Sequence, residues 1–166
     1  MADKHFKQIF IVENMPSALK SKVVIRKMRA TDLAKLLKLG REEWPKDEWL
    51  TKEYLREAQR QKGLSFVALA GEELVGGVIH VSQDIVQNWL RILIVSPKYR
   101  GLGIGTELVN AVVERLRPGE SLLVDAAADE RKTLHFYKKL GFRNRGRIKS
   151  LYGHQAAFVY EKVIAG

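Results

Sequence analysis

The chain has 166 residues, 46% of them hydrophobic and 29% charged, which suits one soluble globular domain with a single substantial core. It contains no cysteine, so disulfides, thiolate metal sites and a cysteine nucleophile are excluded. A formal charge of +10 favours polyanionic partners: nucleic acid, acidic proteins or phosphorylated small molecules.

Residues 1–22 read as an N-terminal extension with a candidate strand over Gln8 to Val12, and 23–166 as a single domain. The apolar run in the extension is short and broken by Glu13 and Asn14. No stretch approaches the roughly 20 apolar residues of a membrane span, so a cytoplasmic protein without a membrane partner is expected. Val23 to Met28 suits a strand. It is closed by Arg29-Ala30-Thr31-Asp32, where Thr31 or Asp32 can cap a helix carrying Leu33, Leu36, Leu37 and Leu39 on one stripe, with Gly40 near its end. A connector rich in tryptophan and acid, 41-REEWPKDEW-49, leads to a second helix over Thr51 to Gln61. The strands 64-LSFVALA-70 and 73-ELVGGVIHVS-82 are joined by a Gly71-Glu72 turn. Trp89 to Val95 is almost wholly apolar, as a central strand covered on both faces would be. A helix from about Gly103 to Arg117 stops at Pro118-Gly119, and a short buried strand, 121-SLLVDA-126, follows. Glu130 to Leu140 forms a helix ended by Gly141. Strands around Arg143 to Leu151 and Ala156 to Ile164 complete the order β-α-α-β-β-β-α-β-α-β-β, a mixed α/β fold of α+β type with a largely antiparallel sheet.

The stretch 97-PKYRGLGIGTELVNAVVERL-116 sets three glycines, led by Arg100, at the entrance to an apolar-periodic helix. Thr106-Glu107 follows Gly105 where a P-loop needs lysine and a hydroxyl residue, and the G-x-G-x-G spacing after hairpin strands does not fit a dinucleotide fingerprint. What remains is a glycine turn running into a helix N-terminus, whose N–H groups and dipole suit a phosphate, with Arg100 adding charge. A pyrophosphate-bearing ligand is favoured over a metal or a neutral molecule. The cluster 138-KKLGFRNRGRIK-149 reads as a solvated rim beside such phosphates or as a nucleic-acid patch. Neither the aromatic spacing of an RNA-binding sheet nor a zinc-finger pattern accompanies it.

The segment 90-LRILIVSPKYRGLGIGTELVNAVVERL-116 resembles motif A of the GNAT superfamily, the acyl-CoA-dependent N-acetyltransferases, with Arg100-Gly101-Leu102-Gly103-Ile104-Gly105 in place of its Q/R-x-x-G-x-G/A core. Downstream, 129-DERKTLHFYKKLGFRNRGR-147 resembles motif B, and the resemblance extends from about Val23 to Ile164. It implies a mostly antiparallel sheet of six to seven strands with helices on both faces and splayed central strands. It also implies acetyl-CoA as co-substrate, no metal, and direct transfer of acetyl to a primary amine in a ternary complex. In that scheme the strand end Leu93-Ile94-Val95 receives the pantetheine arm through the backbone of Leu93 and Val95. Amides from Arg100 to Gly105, with Thr106, hold the pyrophosphate. Tyr137 protonates the departing thiolate, and the Val95 N–H stabilises the oxyanion.

The family often places a basic Glu on the central strand, and here that position falls at Arg91, which cannot serve as a base. The replacements are Glu42, Glu43, His80, Asp84 and His154; Glu43 and Asp84 are preferred, and His80 reads first as a satisfied strand histidine. The motif B positions usually held by Asn and Ala are Glu130 and Thr133, which leaves Asp129 or Lys132 for the pantetheine contact. Trp44, Trp49 and Tyr54 form an aromatic wall for the acceptor or cover the end of the sheet. Glu42, Glu43, Asp47 and Glu48 would draw a cationic amine, whether a polyamine, a lysine side chain or a protein N-terminus. The alternative is a non-catalytic acyl-CoA-binding module associated with nucleic acid or the ribosome. The tail 156-AAFVYEKVIAG-166 could pair across a two-fold axis in a homodimer or close the chain's own sheet.

Overall fold

The computed structural model describes residues 8–10, 23–45, 50–60, 64–83, 87–152 and 155–166. Its strands are β1 (Gln8–Phe10), β2 (Val23–Lys27), β3 (Phe66–Ala70), β4 (Glu73–Gln83), β5 (Gln87–Val95), β6 (Ser121–Ala127), β7 (Arg143–Tyr152) and β8 (Gln155–Val163). The helices are α1 (Leu33–Glu43), α2 (Lys52–Arg60), α3 (Ile104–Val113) and α4 (Arg131–Lys139). One eight-stranded sheet runs in the order β1-β2-β3-β4-β5-β6-β8-β7. Seven of these strands match the expected element order. The eighth, β1, is the part of the anticipated Gln8 to Val12 strand that falls within the described residues, and it pairs antiparallel with β2 at the sheet's edge.

Apolar positions on the two sides of the sheet build two cores. Leu33, Leu36, Leu37 and Leu39 of α1 join Leu55 of α2 and Val67, Ile79, Ile92 and Ile94 of the strands. On the opposite face Ile104, Leu108 and Val112 of α3 and Leu134 and Tyr137 of α4 pack on Val78, Leu90, Leu122 and Val124. The central strands are therefore covered on both faces, as the apolar run in β5 requires.

Helix boundaries differ from the sequence reading in places; α3, expected to run to Arg117, ends at Val113. The first helix continues past Gly40 to Glu43, taking in residues assigned to the connector. Gly40 is no stop: a Cβ there would lie 2.2 Å from Leu50 Cδ2, so the glycine makes room for the incoming chain rather than ending the helix. Asp32 caps nothing further on; it turns back to accept from Arg29 N–H at 2.7 Å and from both Arg26 guanidinium nitrogens at 2.7 and 2.8 Å. Burial pushes the Asp32 carboxyl up, but these donors outweigh it and hold it below the usual carboxylate range. Strand β8 lies between β6 and β7 with both edges paired, so the tail closes the chain's own sheet.

One pairing in the sheet is parallel. Strands β5 and β6 run together only from Gln87↔Ser121 to Leu90↔Val124 and then separate. At the same level the β4–β5 register jumps from Ile79↔Ile92 to His80↔Leu90, which leaves Arg91 as the extra residue of a β-bulge. A bulge bends its strand, so the fork opens where β5 bends away.

Candidate active site

The root of the fork is braced by a buried polar cluster. His80 Nδ1 accepts from Leu64 N–H at 2.9 Å, which fixes the proton on Nε2, 3.1 Å from Asn88 Oδ1. Asn88 in turn donates to the Ser121 carbonyl at 3.3 Å, so one chain of bonds links β4, β5 and β6. Burial holds the His80 imidazole below its usual pKa, against weaker upward pulls from Asn88 and Glu120. With both ring nitrogens engaged, His80 is structural, as the plainer sequence reading had it.

Beyond the root, the free edge of β5 faces the gap. Ser96 N–H bonds the Val75 carbonyl at 2.8 Å. Alternation along the strand therefore turns the backbone groups of Val95 and Leu93 away from β4 and those of Ile94 towards it. A chain-like ligand with amide groups can pair with that edge as a strand would.

The glycine loop closes the end of the gap. Tyr99, buried in a short 3-10 turn after β5, donates from its hydroxyl to Glu73 Oε2 at 3.1 Å and anchors the loop to β4. Gly101 and Gly103 have φ of 77° and 82°, a left-handed geometry that a side chain resists, and a Cβ at either would meet nothing within 4 Å. The space above them is open. The first bond inside α3 runs from Glu107 N–H to the Gly103 carbonyl, leaving the amides of Ile104, Gly105 and Thr106 as first-turn donors. Leu102 sits between the two left-handed glycines. Gly105 is constrained by packing: a Cβ there would come within 3.4 Å of Phe136 Cζ on α4. The cradle fits a pyrophosphate, since it offers convergent N–H donors, an open approach and a helix dipole.

Arg100 behaves differently from the expectation of a phosphate ligand. Its Nε donates to the Val95 carbonyl at 2.9 Å, and its terminal nitrogen contacts the Glu43 carboxylate at the end of α1. The side chain thus ties the glycine loop to the opposite face of the sheet. Glu43, expected as a base, is the partner in that ion pair. Asp84, His154, Asp47, Glu48 and Trp49 lie outside the described residues. Lys132 is exposed in the first turn of α4, and Asp129 accepts from Gln155 Nε2 at 2.6 Å. Tyr137 is buried between Phe136 and Phe142 in edge-on contacts of 5.2 and 5.4 Å. Burial, reinforced by the charges of Asp125 and Glu130, pushes its phenol far above the usual range, so it carries its proton at any physiological pH.

Sequence reasoning missed the group at the fork itself. Asp125 is the first β6 residue after the last β5–β6 pair, and its Oδ1 lies 4.0 Å from Arg91 Nη1. The guanidinium of Arg91 sits 5.4 Å from the Trp89 ring centroid. Tyr54 of α2, expected as part of an aromatic wall, has its phenol raised by burial and by the Asp125 charge, with Arg91 pulling the other way. The available signal was a single carboxylate in the otherwise apolar strand 121-SLLVDA-126. Among the described residues no cluster of His, Asp and Glu could hold a metal ion, and no helix is long and apolar enough to cross a membrane.

The forked sheet with a glycine loop at its mouth recurs in known structures. Ard1 from Thermoplasma volcanium superposes with a TM-score of 0.78 at 18% identity over 87% of this chain and 99% of that one. Arabidopsis thaliana NAA60 in complex with a bisubstrate analogue gives 0.75 at 21% identity over 87% and 99%. In sequence, N-alpha-acetyltransferase 30 of Schizosaccharomyces pombe is 30% identical over 95 residues, 53% of this chain and 63% of that protein. The matched stretch thus spans less than two thirds of that relative. A profile of the acetyltransferase (GNAT) family matches residues 33–142, from the start of α1 to the residue before β7. With that match enclosing the fork, the glycine loop and Tyr137, the chain belongs to the acetyltransferase (GNAT) family.

Proposed function

We propose that this protein transfers the acetyl group of acetyl-CoA to the α-amine of a protein or peptide N-terminus, by direct attack in a ternary complex. The observation that carries the reading is the fork: a β5 edge at Leu93 and Val95 that pairs with no strand among the described residues, the Val95 carbonyl accepting only from Arg100 Nε, and that leads straight into the open N-terminus of α3. Pantetheine would pair along that edge and the pyrophosphate would rest on the amides from Gly101 to Thr106, with Lys132 at its flank. The thioester then supplies the activated acetyl group. Tyr137, kept protonated, is suited to give its proton to the sulfur as it leaves, and the Val95 N–H is suited to the oxyanion. The relative's name, an N-alpha-acetyltransferase, supports an N-terminal amine over polyamines and lysine side chains. In this reading residues 23–166 are the catalytic unit, acting in the cytoplasm, with β1 added from the preceding segment.

The test is calorimetric binding of acetyl-CoA followed by thiol release with three acceptor sets: peptides with free N-termini, N-terminally blocked lysine peptides, and polyamines. Turnover confined to the first set supports the reading. Binding without turnover on any amine would leave only the acyl-CoA-binding part standing.

A second association is favoured by charge. Every charged side chain from Arg131 to Lys149 is basic and exposed, along α4 and the edge strand β7. Among the described residues only Arg145 has a carboxylate partner within this strip, Glu161. Such a strip suits nucleic acid, including the RNA of a ribosome, and predicts binding to a polyanion that weakens steeply with salt.

A further inference from the structure

We propose that Arg91 sets the acceptor specificity of this protein: its guanidinium receives a carboxylate carried beside the reacting amine, so that the preferred acceptors have Asp or Glu within their first two residues. The proposal rests on the N-acetyltransferase reading above and names the acceptor class which that reading leaves general.

The bulge puts the charge in place. Leu90 belongs to the core under α3 and α4, whereas Ile92 and Ile94 belong to the core under α1 and α2. Strict alternation would send all three to one face; the extra residue breaks the period, so that Arg91 and Ile92 stand together on the α1/α2 side. Trp89, one position before Leu90, faces the same way, and the Arg91 guanidinium lies 5.4 Å from its ring centroid. Where its neighbours on β5 present apolar core, this position presents a cation.

That side is the one left to the acceptor. The phosphate cradle at the start of α3 and Tyr137 of α4 occupy the other face, so the amine approaches the thioester from the side of α1 and α2. Tyr54 of α2 stands there and feels the charges of both Arg91 and Asp125.

The guanidinium is arranged to take a further partner. Its contact with Asp125 is a single one, Nη1 to Oδ1 at 4.0 Å, which is longer than a hydrogen bond. Arg26 shows the contrast, since both of its terminal nitrogens bond Asp32, at 2.7 and 2.8 Å. The Arg91 side chain is 38% exposed against 20% for Arg26, so a ligand can reach it. Asp125 holds the group by charge and leaves its planar N–H edge for a carboxylate brought by the acceptor, a charge-assisted contact that a neutral amide matches poorly. A lysine at the same place in the acceptor would meet a like charge, so the selection works in both directions.

The experiment measures kcat/KM by thiol release on isosteric peptide pairs, Asp against Asn and Glu against Gln at the first and second positions, together with a Lys peptide and free aspartate. In wild type at least one acidic peptide should exceed its amide partner about tenfold, chiefly through KM, and the ratio should shrink as NaCl rises from about 0.05 to about 0.5 M. Arg91→Gln should bring the ratio to about one, Arg91→Lys should keep part of it, and Arg91→Glu should reverse it in favour of the Lys peptide, with acetyl-CoA Kd within about twofold throughout. Turnover that depends on Arg91 with free aspartate and not with peptides supports the carboxylate contact and overturns the N-terminal acceptor of the reading above. Peptides acetylated with no preference between acid and amide overturn the proposal and leave the acetyltransferase reading intact. So does a preference that survives Arg91→Glu, or a lowered melting temperature in Arg91→Gln with equal losses on acidic and amide peptides, which marks a structural role. Wild type that binds acetyl-CoA but acetylates no amine overturns both.

Discussion

The two sides of the fork are built from different materials. On the α3 side the elements proposed to hold the ligand are backbone: the Val95 and Leu93 edge, the left-handed Gly101 and Gly103, and the first amides of α3. On the α1/α2 side they are side chains from elements far apart in sequence: Tyr54 of α2, Trp89 and Arg91 of β5, and Asp125 of β6. A backbone cradle accepts any ligand with the right phosphates, and its requirements are steric. A side-chain cluster selects by charge and shape, so it can change between relatives without disturbing the cradle.

The comparison predicts that the two sides fail differently. Tyr137→Phe bears on chemistry at the junction and should have the largest effect, lowering kcat about 100-fold with acetyl-CoA affinity within about twofold, measured by thiol release and calorimetry. Gly103→Ala strikes the cradle: holding a side chain at φ 82° costs about 1–2 kcal/mol, and acetyl-CoA should bind roughly tenfold more weakly while the peptide's KM is little changed. If that variant instead raised only the peptide's KM, the division between the two sides would be wrong.

His80 braces both sides, and it gives a pH signature. Burial lowers its folded-state pKa, while the unfolded chain titrates near ~6.5. The unfolded state therefore takes up the proton first, and stability falls as pH drops below that value, by up to about 1.4 kcal/mol per unit until the folded pKa is reached. Melts at pH 7.5 and 5.5 should differ in this sense, and His80→Gln should flatten the difference. Glu43→Gln should have the smallest effect. It breaks a pair whose Arg100 side is 54% exposed, so acetyl-CoA affinity should shift less than about threefold and the pH profile of kcat/KM should stay in place. A collapsed profile in this variant would make Glu43 the base.

Particular residues show how far the sequence carries. The shape of the glycine loop was readable because Arg100 to Gly105 is one contiguous turn whose conformation depends on φ angles and missing side chains, both properties of residue type. The place of Tyr137 on α4 was readable for a similar reason, since it lies only six residues after Arg131 begins the helix. The acceptor side was not, because Arg91 and Asp125 meet only when β5 and β6 run parallel for four pairs and then part. Glu43 looked like a base in its acid-rich connector until the extended α1 carried it to Arg100.

By itself the sequence determined the order of the elements, the two apolar faces of the sheet and the phosphate-shaped loop, all of which follow from periodicity and local conformational preference. The tertiary structure decided where the sheet splits, which carboxylate stands at the split, and which is spent on an ion pair. Those outcomes depend on strand register and on one bulged residue, and a shift of a single position would send Asp125 to the opposite face.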